Sequence, residues 1–314
     1  MKIFDLHCDT AFEMYTKKLN MDSENLDTRL SDFKKYTSPI QIYAIYSDHN
    51  KTDDENYEDF FKIRENLLNE IEENSDSAVF CDDREMLVSD DKRLKVMLSV
   101  EGSKLLGNDM SRLPILRELG VRVLTFMWKD EYAAGGSHNT DTGLTEFGRE
   151  LVAECERLGI IVDVSHMSHK SFFDVVSCAK KPYIATHTNS NVLCDCSRNM
   201  TDIEFRTIVN TGGIVGVNMY SSFLSNKYKA SETEIISEEI IQSMCKHIEY
   251  YLSLGGEKTV CLGCDRDGMD RVPGASELYN IDKVYERLVK DGVKESVAED
   301  IFYNNAYNFF KNNL

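Results

Sequence analysis

No stretch of this chain approaches the roughly 18–20 consecutive apolar residues that a membrane-spanning helix requires, which excludes an integral helical membrane protein. No basic region followed by a short apolar stretch and a small-residue cleavage site precedes the first strand-like run. A secretory signal is therefore not visible, and a soluble, cytoplasmic protein is expected. Positive charge is scarce: 36 Lys and Arg against 54 Asp and Glu leave a net charge of −18. Such a field repels polyanions, so neither nucleic acid nor an anionic membrane is an expected partner. A disulfide framework is missing as well, because the nine cysteines are odd in number and scattered through apparent strands and helices. Their distribution suits a reducing compartment. Low-complexity segments and short repeats are absent, and 42% hydrophobic residues can fill a substantial core, so one domain over residues 1–314 is expected.

Three catalytic signatures are also missing. There is no Gly-x-Ser-x-Gly elbow for a serine nucleophile, no Gly-x-Gly-x-x-Gly dinucleotide fingerprint and no Gly-x-x-x-x-Gly-Lys phosphate loop. Water activated by a metal is the chemistry left best supported.

What the chain does have is alternation of short β-branched apolar runs with amphipathic helical stretches. Eight runs are strand-like, at 2–7, 40–46, 94–100, 121–128, 160–164, 183–186, 213–219 and 259–263. Helical patterns lie near 56–74, 110–119, 145–158, 168–179, 201–211 and 232–253, with two more near 280–290 and 295–312. The stretch from 22 to 32 reads as a loop after the first strand, and 48–59 as a solvated loop leading into a helix. Thr201-Asp-Ile-Glu204 has capping-box spacing, and Gly120, Gly159 and Gly212 follow helices where a left-handed residue is wanted. Eight strands separated by crossover segments predict an α/β fold, a (β/α)8 TIM barrel with extra C-terminal helices; an open doubly wound sheet is the alternative.

The ends of these runs are where the chemistry lies. The first ends in Asp5-Leu-His-Cys-Asp9, and alternate strand residues point the same way, so His7 and Asp9 project together. Further strand ends offer Glu101, Trp128, His166, His187, Tyr220 and Asp265. In a barrel the carboxyl ends of the strands surround one mouth, so these residues meet in space. Three imidazoles and three carboxylates exceed what one ion needs, and two fit better. Zinc, manganese or cobalt suits such donors, with Glu101 able to bridge a pair roughly 3.5 Å apart. An isolated histidine after a strand is more often a capping or core residue, but a set of such positions is hard to produce by chance. His49, His138, His169 and His247 fall elsewhere and are taken as loop or helix-surface residues, although His138 could fold back into the mouth. Cys194-Asp-Cys196 lacks the second arm of a thiolate zinc module, and Cys8 and Cys264 alternate with site residues, which suits small apolar fillers.

The string of motifs resembles the membrane (renal) dipeptidase family of binuclear zinc peptidases, within the amidohydrolase-like superfamily. The marks are Asp5-Leu-His-Cys-Asp9, Val100-Glu-Gly102, Leu119-Gly-Val-Arg-Val-Leu-Thr125, Gly143-Leu-Thr-Glu-Phe-Gly148, Leu158-Gly-Ile-Ile-Val-Asp-Val-Ser-His166, Thr186-His187, Arg198-Asn199 and Gly263-Cys-Asp-Arg-Asp-Gly268. The resemblance implies that His7 and Asp9 bind one zinc, His166 and His187 the other, and Glu101 both. It also implies that Asp265 is the acid/base residue and that Arg198 receives the C-terminal carboxylate of a dipeptide. Renal-type members carry a substrate-contacting histidine where this chain has Trp128, although the family includes members with Trp there. Trp offers one N–H donor and a large apolar face, and cannot relay a proton.

The expected reaction is hydrolysis of a dipeptide amide by a hydroxide bridging two divalent ions, with Asp265 moving the proton and holding the substrate's ammonium group. Trp128 and Tyr220 are expected to touch substrate with Arg198 and Asp265. Asp267 reads as a turn residue or a support for the site. A lactone, a β-lactam or another amide is the alternative substrate, and a non-catalytic binding protein the alternative of another class. A dipeptide is the expected small-molecule partner, and a homodimer the candidate assembly.

Overall fold

The structure, a computed structural model, describes residues 1–227, 237–269 and 279–314. The expected helix at 232–253 thus begins outside the described residues, and its described part is Ser237–Ser253. Among the described residues the strands are β1 (Ile3–Cys8), β2 (Pro39–Tyr46), β3 (Ala78–Phe80), β4 (Leu94–Glu101), β5 (Val121–Thr125), β6 (Glu131–Tyr132), β7 (Gly135–Gly136), β8 (Ile161–Asp163), β9 (Val215–Val217) and β10 (Val260–Leu262). Seven of them run around one parallel sheet in the order β8-β5-β4-β2-β1-β10-β9. The expected sixth run, 183–186, closes the ring as two bridges rather than a strand: Ile184 pairs with Asp163 and Ala185 with Val215. It stays short because the Thr186 amide donates to the Asp163 carboxylate (3.0 Å) instead of extending the ladder. The curled sheet with its surrounding helices is a (β/α)8 barrel.

Several elements depart from the expected set. The fourth run leaves the ladder after Thr125 and passes into the β6–β7 hairpin. β3 pairs with the first residues of β4, and three residues are too few to show alternation in sequence. Helices at Thr10–Lys17 and Arg84–Val88 were not expected, being too short for an apolar period to repeat clearly. The helix predicted from 56 begins at Asp53, where Thr52 and Glu55 make a full capping box. The box at Thr201 and Glu204 is formed as expected, and Gly120, Gly159 and Gly212 all have positive φ.

Alternation along the strands sorts the apolar residues into two layers. Val96, Leu98, Val100, Leu124, Val162, Val215 and Leu262 face the helices. Phe4, Leu6, Ile40, Ile42, Met97, Val123, Ile161, Ile184, Ile214 and Cys261 form the inner cluster, which Tyr303, Ala306, Phe309 and Phe310 close from the C-terminal segment. Phe4 and Phe310 stack there at 5.3 Å. The C-terminal helix Asn305–Asn313 is therefore a plug across the floor. No helix among the described residues is long and apolar enough to cross a membrane.

One irregularity aims the site. Between Asp5 and Cys8 the β1 register to β2 slips, three steps on one strand against two on the other. Such a bulge lets Leu6 join the inner cluster and lets His7, the next residue, still turn into the mouth.

Candidate metal centre

The carboxyl ends of the strands converge. His7 Nε2 lies 3.3 Å from Asp9 Oδ2 and 3.7 Å from both Glu101 Oε1 and Asp265 Oδ1. The same Glu101 oxygen is 3.0 Å from His166 Nε2 and 3.3 Å from His187 Nε2. All six groups are buried. They form two overlapping donor sets, His7–Glu101–His187 and His7–Asp9–Asp265, each within 4.8 Å. His166 and Asp265 hold left-handed backbone, φ 66° and 60°, a strained state for residues with a Cβ that is tolerated where the geometry is used.

Hydrogen bonds fix the imidazole tautomers. His166 Nδ1 lies 3.0 Å from the Trp128 carbonyl, which can only accept, so the proton sits on Nδ1. Thr186 donates its hydroxyl to Asp163 Oδ2 (2.6 Å), and that hydroxyl oxygen accepts from His187 Nδ1 (2.8 Å). Both Nε2 atoms are left as bare acceptors, and they face each other at 2.9 Å with Glu101 beside them. Three acceptors turned on one point need a cation between them. Asp9 repeats the demand, since its buried Oδ1 has no hydrogen-bond partner. Imidazole nitrogens and carboxylate oxygens are the donors that zinc, manganese and cobalt take, so the residues fit divalent metal.

The electrostatics agree. Burial opposes charge on His7, yet Glu101, Asp9 and Asp265 around it win and push it up to about 10. Burial holds His166 and His187 well below the ordinary histidine value and Glu101 well above that of a carboxylate. Asp265 is pushed up to about 6 by burial, with His7 pulling it back and Asp9 adding to the rise.

A supporting layer holds these groups. Asn218 donates from Nδ2 to Asp265 Oδ2 (2.8 Å). Asp5 accepts from the Cys264 amide (2.9 Å) and from the wholly buried Arg266 (2.8 Å), tying the ends of β1 and β10 together. Asp163 accepts from Thr125, Thr186 and the Ser165 amide, which joins three strand ends. A Cβ on Gly268 would stand 2.0 Å from Asp9 Oδ2 and 2.9 Å from Asp265 Oδ1, so only glycine lets the chain pass there. Asp267 is a half-buried turn residue with φ 64° that accepts from Thr10 and the Asp27 amide.

Around the donors, the expected substrate residues occupy different places. Arg198 is buried, with Nη2 on the His187 carbonyl (2.7 Å) and Nε lacking a partner. The half-buried Trp128 ring packs on His49 (4.9 Å) and Tyr46 (5.1 Å) and lies 6.3 Å from His166. Tyr220 packs edge-on against Phe223, and its amide donates to Asn218 Oδ1 (2.6 Å). His138 is brought 5.9 Å from the His166 ring and bonds Ser197 Oγ at 3.0 Å; burial and then the Arg198 charge hold it down to about 4.

A model described as membrane dipeptidase (peptidase family M19) matches residues 1–313. The chain belongs to the membrane dipeptidase family. The family consists of metal-dependent peptidases, so the converging donors have a chemical reason. Similar solved structures include dipeptidase AC, an M19 metallopeptidase, at 24% identity and a TM-score of 0.90 over 100% of this chain and 98% of the other. Another is a Rhodobacter sphaeroides metallopeptidase liganded with a phosphinate mimic of the dipeptide L-Ala-D-Ala, at 23% identity and 0.90 over 100% and 99%. At such identities they establish the fold. A Klebsiella pneumoniae protein known by its place in the pqqA 5′ region is 29% identical over 231 residues, covering 71% of this chain and 83% of its own length.

The residues picked at the strand ends do come together, whereas the groups that support them were missed. Asn218 is the hydrogen-bonding residue at the end of β9, where the residue after the run, Tyr220, had drawn attention. Period two would have found it, since Ile214 faces inward and Asn218 shares its parity. His247 is corrected from a surface to a wholly buried residue: Nδ1 accepts from the Ser190 amide and Nε2 donates to the Leu224 carbonyl, both at 3.0 Å. His49 is likewise half-buried against Trp128. In both cases an imidazole's apolar body is used for packing, which the sequence pattern does not mark.

Proposed function

We propose that residues 1–314 form one catalytic unit that hydrolyses dipeptides, with His7 and Asp9 holding one divalent ion, His166 and His187 a second, and Glu101 both. Zinc is the expected metal, and manganese or cobalt fits the same donors. The observation that carries this reading is the pair of facing Nε2 acceptors beside Glu101, together with the unpartnered buried oxygen of Asp9. Bound ions of this kind lower the pKa of a water to roughly 7 and polarise the scissile carbonyl.

The chain's own residues do the rest. Asp265 takes the proton of the attacking water and delivers it to the leaving amine, a task suited to a carboxyl raised to about 6. Asn218 holds Oδ2 of that carboxyl and leaves Oδ1 toward His7. Asp265 also attracts the free ammonium group. Arg198, whose Nε is unspent, receives the C-terminal carboxylate, and its planar fork suits two oxygens. Trp128 and Tyr220 flank the substrate side chains. His138, kept neutral by burial beside Arg198, supplies a polar group near the position where renal-type members have their histidine.

The test is metal per chain, followed by turnover of the loaded protein on L-L and L-D dipeptides, N-blocked dipeptides, tripeptides and simple lactones. The mimic held by the Rhodobacter relative makes Ala-D-Ala the first substrate to try. Two ions per chain, and cleavage of free dipeptides with rejection of blocked ones, are expected. Lactone opening without dipeptide cleavage would replace this reading with the other hydrolase, and a protein that binds no metal would end both.

A further inference from the structure

The turn that carries Arg198 also carries two thiols. The Cys196 amide donates to the Cys194 carbonyl (3.0 Å), and this tight turn sets the two cysteines side by side. Cys194 is buried, with Sγ on the Ser222 carbonyl (3.3 Å) and Asn226 Oδ1 (3.5 Å), whereas Cys196 is half-buried and open to small molecules. The neighbouring Cys194 thiol and the amides of Arg198 and Asn199 favour a thiolate on Cys196 against its burial, with the Arg198 charge nearby. Those groups bring its thiol down to about 7, while the other eight thiols are pushed up, Cys194 by the neighbouring Cys196 and the rest by burial. All nine are free. A half-accessible free sulfur in a tight turn, with a second free thiol two residues away, is how a selective thiol–disulfide site is built.

We propose that Cys194 and Cys196 are a redox site for small disulfides of the glutathione type, and that closing the pair resets Arg198. The Cys196 thiolate attacks one sulfur of the small disulfide, breaks its S–S bond and releases one small thiolate, which takes a proton from water. Cys194 then gives its proton to solvent and attacks Cys196 Sγ, expelling the second small thiolate. Two electrons leave the protein dithiol, one small disulfide becomes two small thiols, and the Cys194–Cys196 disulfide remains; a dithiol reductant reverses it. Closure draws the sulfurs to about 2.05 Å. The turn cannot absorb this freely, because Asn199 Nδ2 holds the Cys194 carbonyl (2.8 Å) and Thr188 Oγ1 holds the Arg198 carbonyl (3.1 Å). Arg198, two residues past Cys196, then moves relative to the His187 carbonyl that now positions it.

Formation of the disulfide is independent of the proposed peptidase activity; the effect through Arg198 rests on it. The experiment treats the metal-loaded protein with oxidised glutathione near neutral pH, quenches with acid, alkylates and maps the cysteines by mass spectrometry. The wild type is expected to lose two hydrogens and to protect Cys194 and Cys196 together. Cys194→Ser is expected to stop at a glutathione adduct on Cys196, and Cys196→Ser to give neither product. Wild-type protein with both thiols still alkylated, or with a lasting adduct on Cys196 and a free Cys194, overturns the proposal. In dipeptide assays, oxidation is expected to raise KM roughly tenfold with kcat little changed, reversibly, as for a weakened charged contact to substrate. An unchanged KM in fully closed protein overturns the link to Arg198. A reduced enzyme that cleaves no dipeptide instead overturns the peptidase reading, and the mass result still decides the thiol chemistry.

Discussion

The two ends of this barrel are built from the same strands and opposite materials. At the floor, Phe4, Ile40, Met97 and Ile161 meet Phe309 and Phe310 of the C-terminal helix in an apolar plug. At the mouth, a few residues further along, the strands deliver six buried ionisable groups whose acceptors face one another. The floor gains free energy from every contact it makes, whereas the mouth stores unsatisfied polarity that only a bound cation relieves. Stability and chemistry are thus separated along the strand axis, as barrel architecture allows.

The separation can be broken most strongly at Asp265. Asp265→Asn keeps the shape and the Asn218 contact but removes the group proposed to move the proton, so kcat is expected to fall ~10²–10⁴-fold. Metal content and thermal midpoint should stay close to wild type, and full activity with both ions bound would show that another group carries the proton. Phe310→Ala is the opposite experiment. Emptying the floor should lower stability by ~3–5 kcal/mol in denaturant unfolding, with turnover per folded molecule unchanged. A large kcat loss in the folded fraction would show that floor and mouth are coupled.

His247 tests the wall beside the mouth. Burial holds its folded-state value down to about 4 from 6.5, and it bonds the Ser190 amide and the Leu224 carbonyl as a neutral ring. Since the folded value is depressed, its contribution is fully present above pH 6.5 and is lost as pH falls from 6.5 through 4. The loss levels off at about 3 kcal/mol once the folded ring is itself protonated. Stability measured against pH should slope in that window, and His247→Gln should flatten the slope. A slope unchanged in the variant would assign the acid sensitivity to other groups.

The contrast between the ends also explains what the sequence disclosed. The convergence of His7, Asp9, Glu101, His166, His187 and Asp265 was legible because each is a residue type at a place, and strand ends can be located from apolar runs. The floor plug was legible only as extra C-terminal helices, since nothing in the pattern of 295–312 says which end of the barrel it covers. The partners of Asn218, Asp163 and Arg266 were hidden for another reason. Their roles are hydrogen bonds between segments distant in sequence, such as Arg266 to Asp5 and Asn218 to Asp265, and spacing carries no trace of such partners. The bulge in β1 was hidden too, because it is a register slip against β2 and not a property of β1 alone.

Thr186 gives the finest test of how the mouth is held. Its hydroxyl donates to Asp163 and accepts from His187, so it both selects the His187 tautomer and turns the ring toward Glu101. Thr186→Val keeps the volume and removes the relay. His187 can then place its proton on either nitrogen, and the Asp163 carboxylate loses one of its donors in a buried site. Loss of such an outer partner typically weakens metal binding ~10–100-fold, which is smaller than the loss of a ligand. Metal titration should show this weakening, with excess metal restoring most of the turnover, because the Nε2 donor itself is intact. Thr186→Ser retains the hydroxyl and should bind metal like the wild type. If valine and serine weaken binding equally, packing of the Thr186 methyl rather than the hydroxyl relay holds His187 in place.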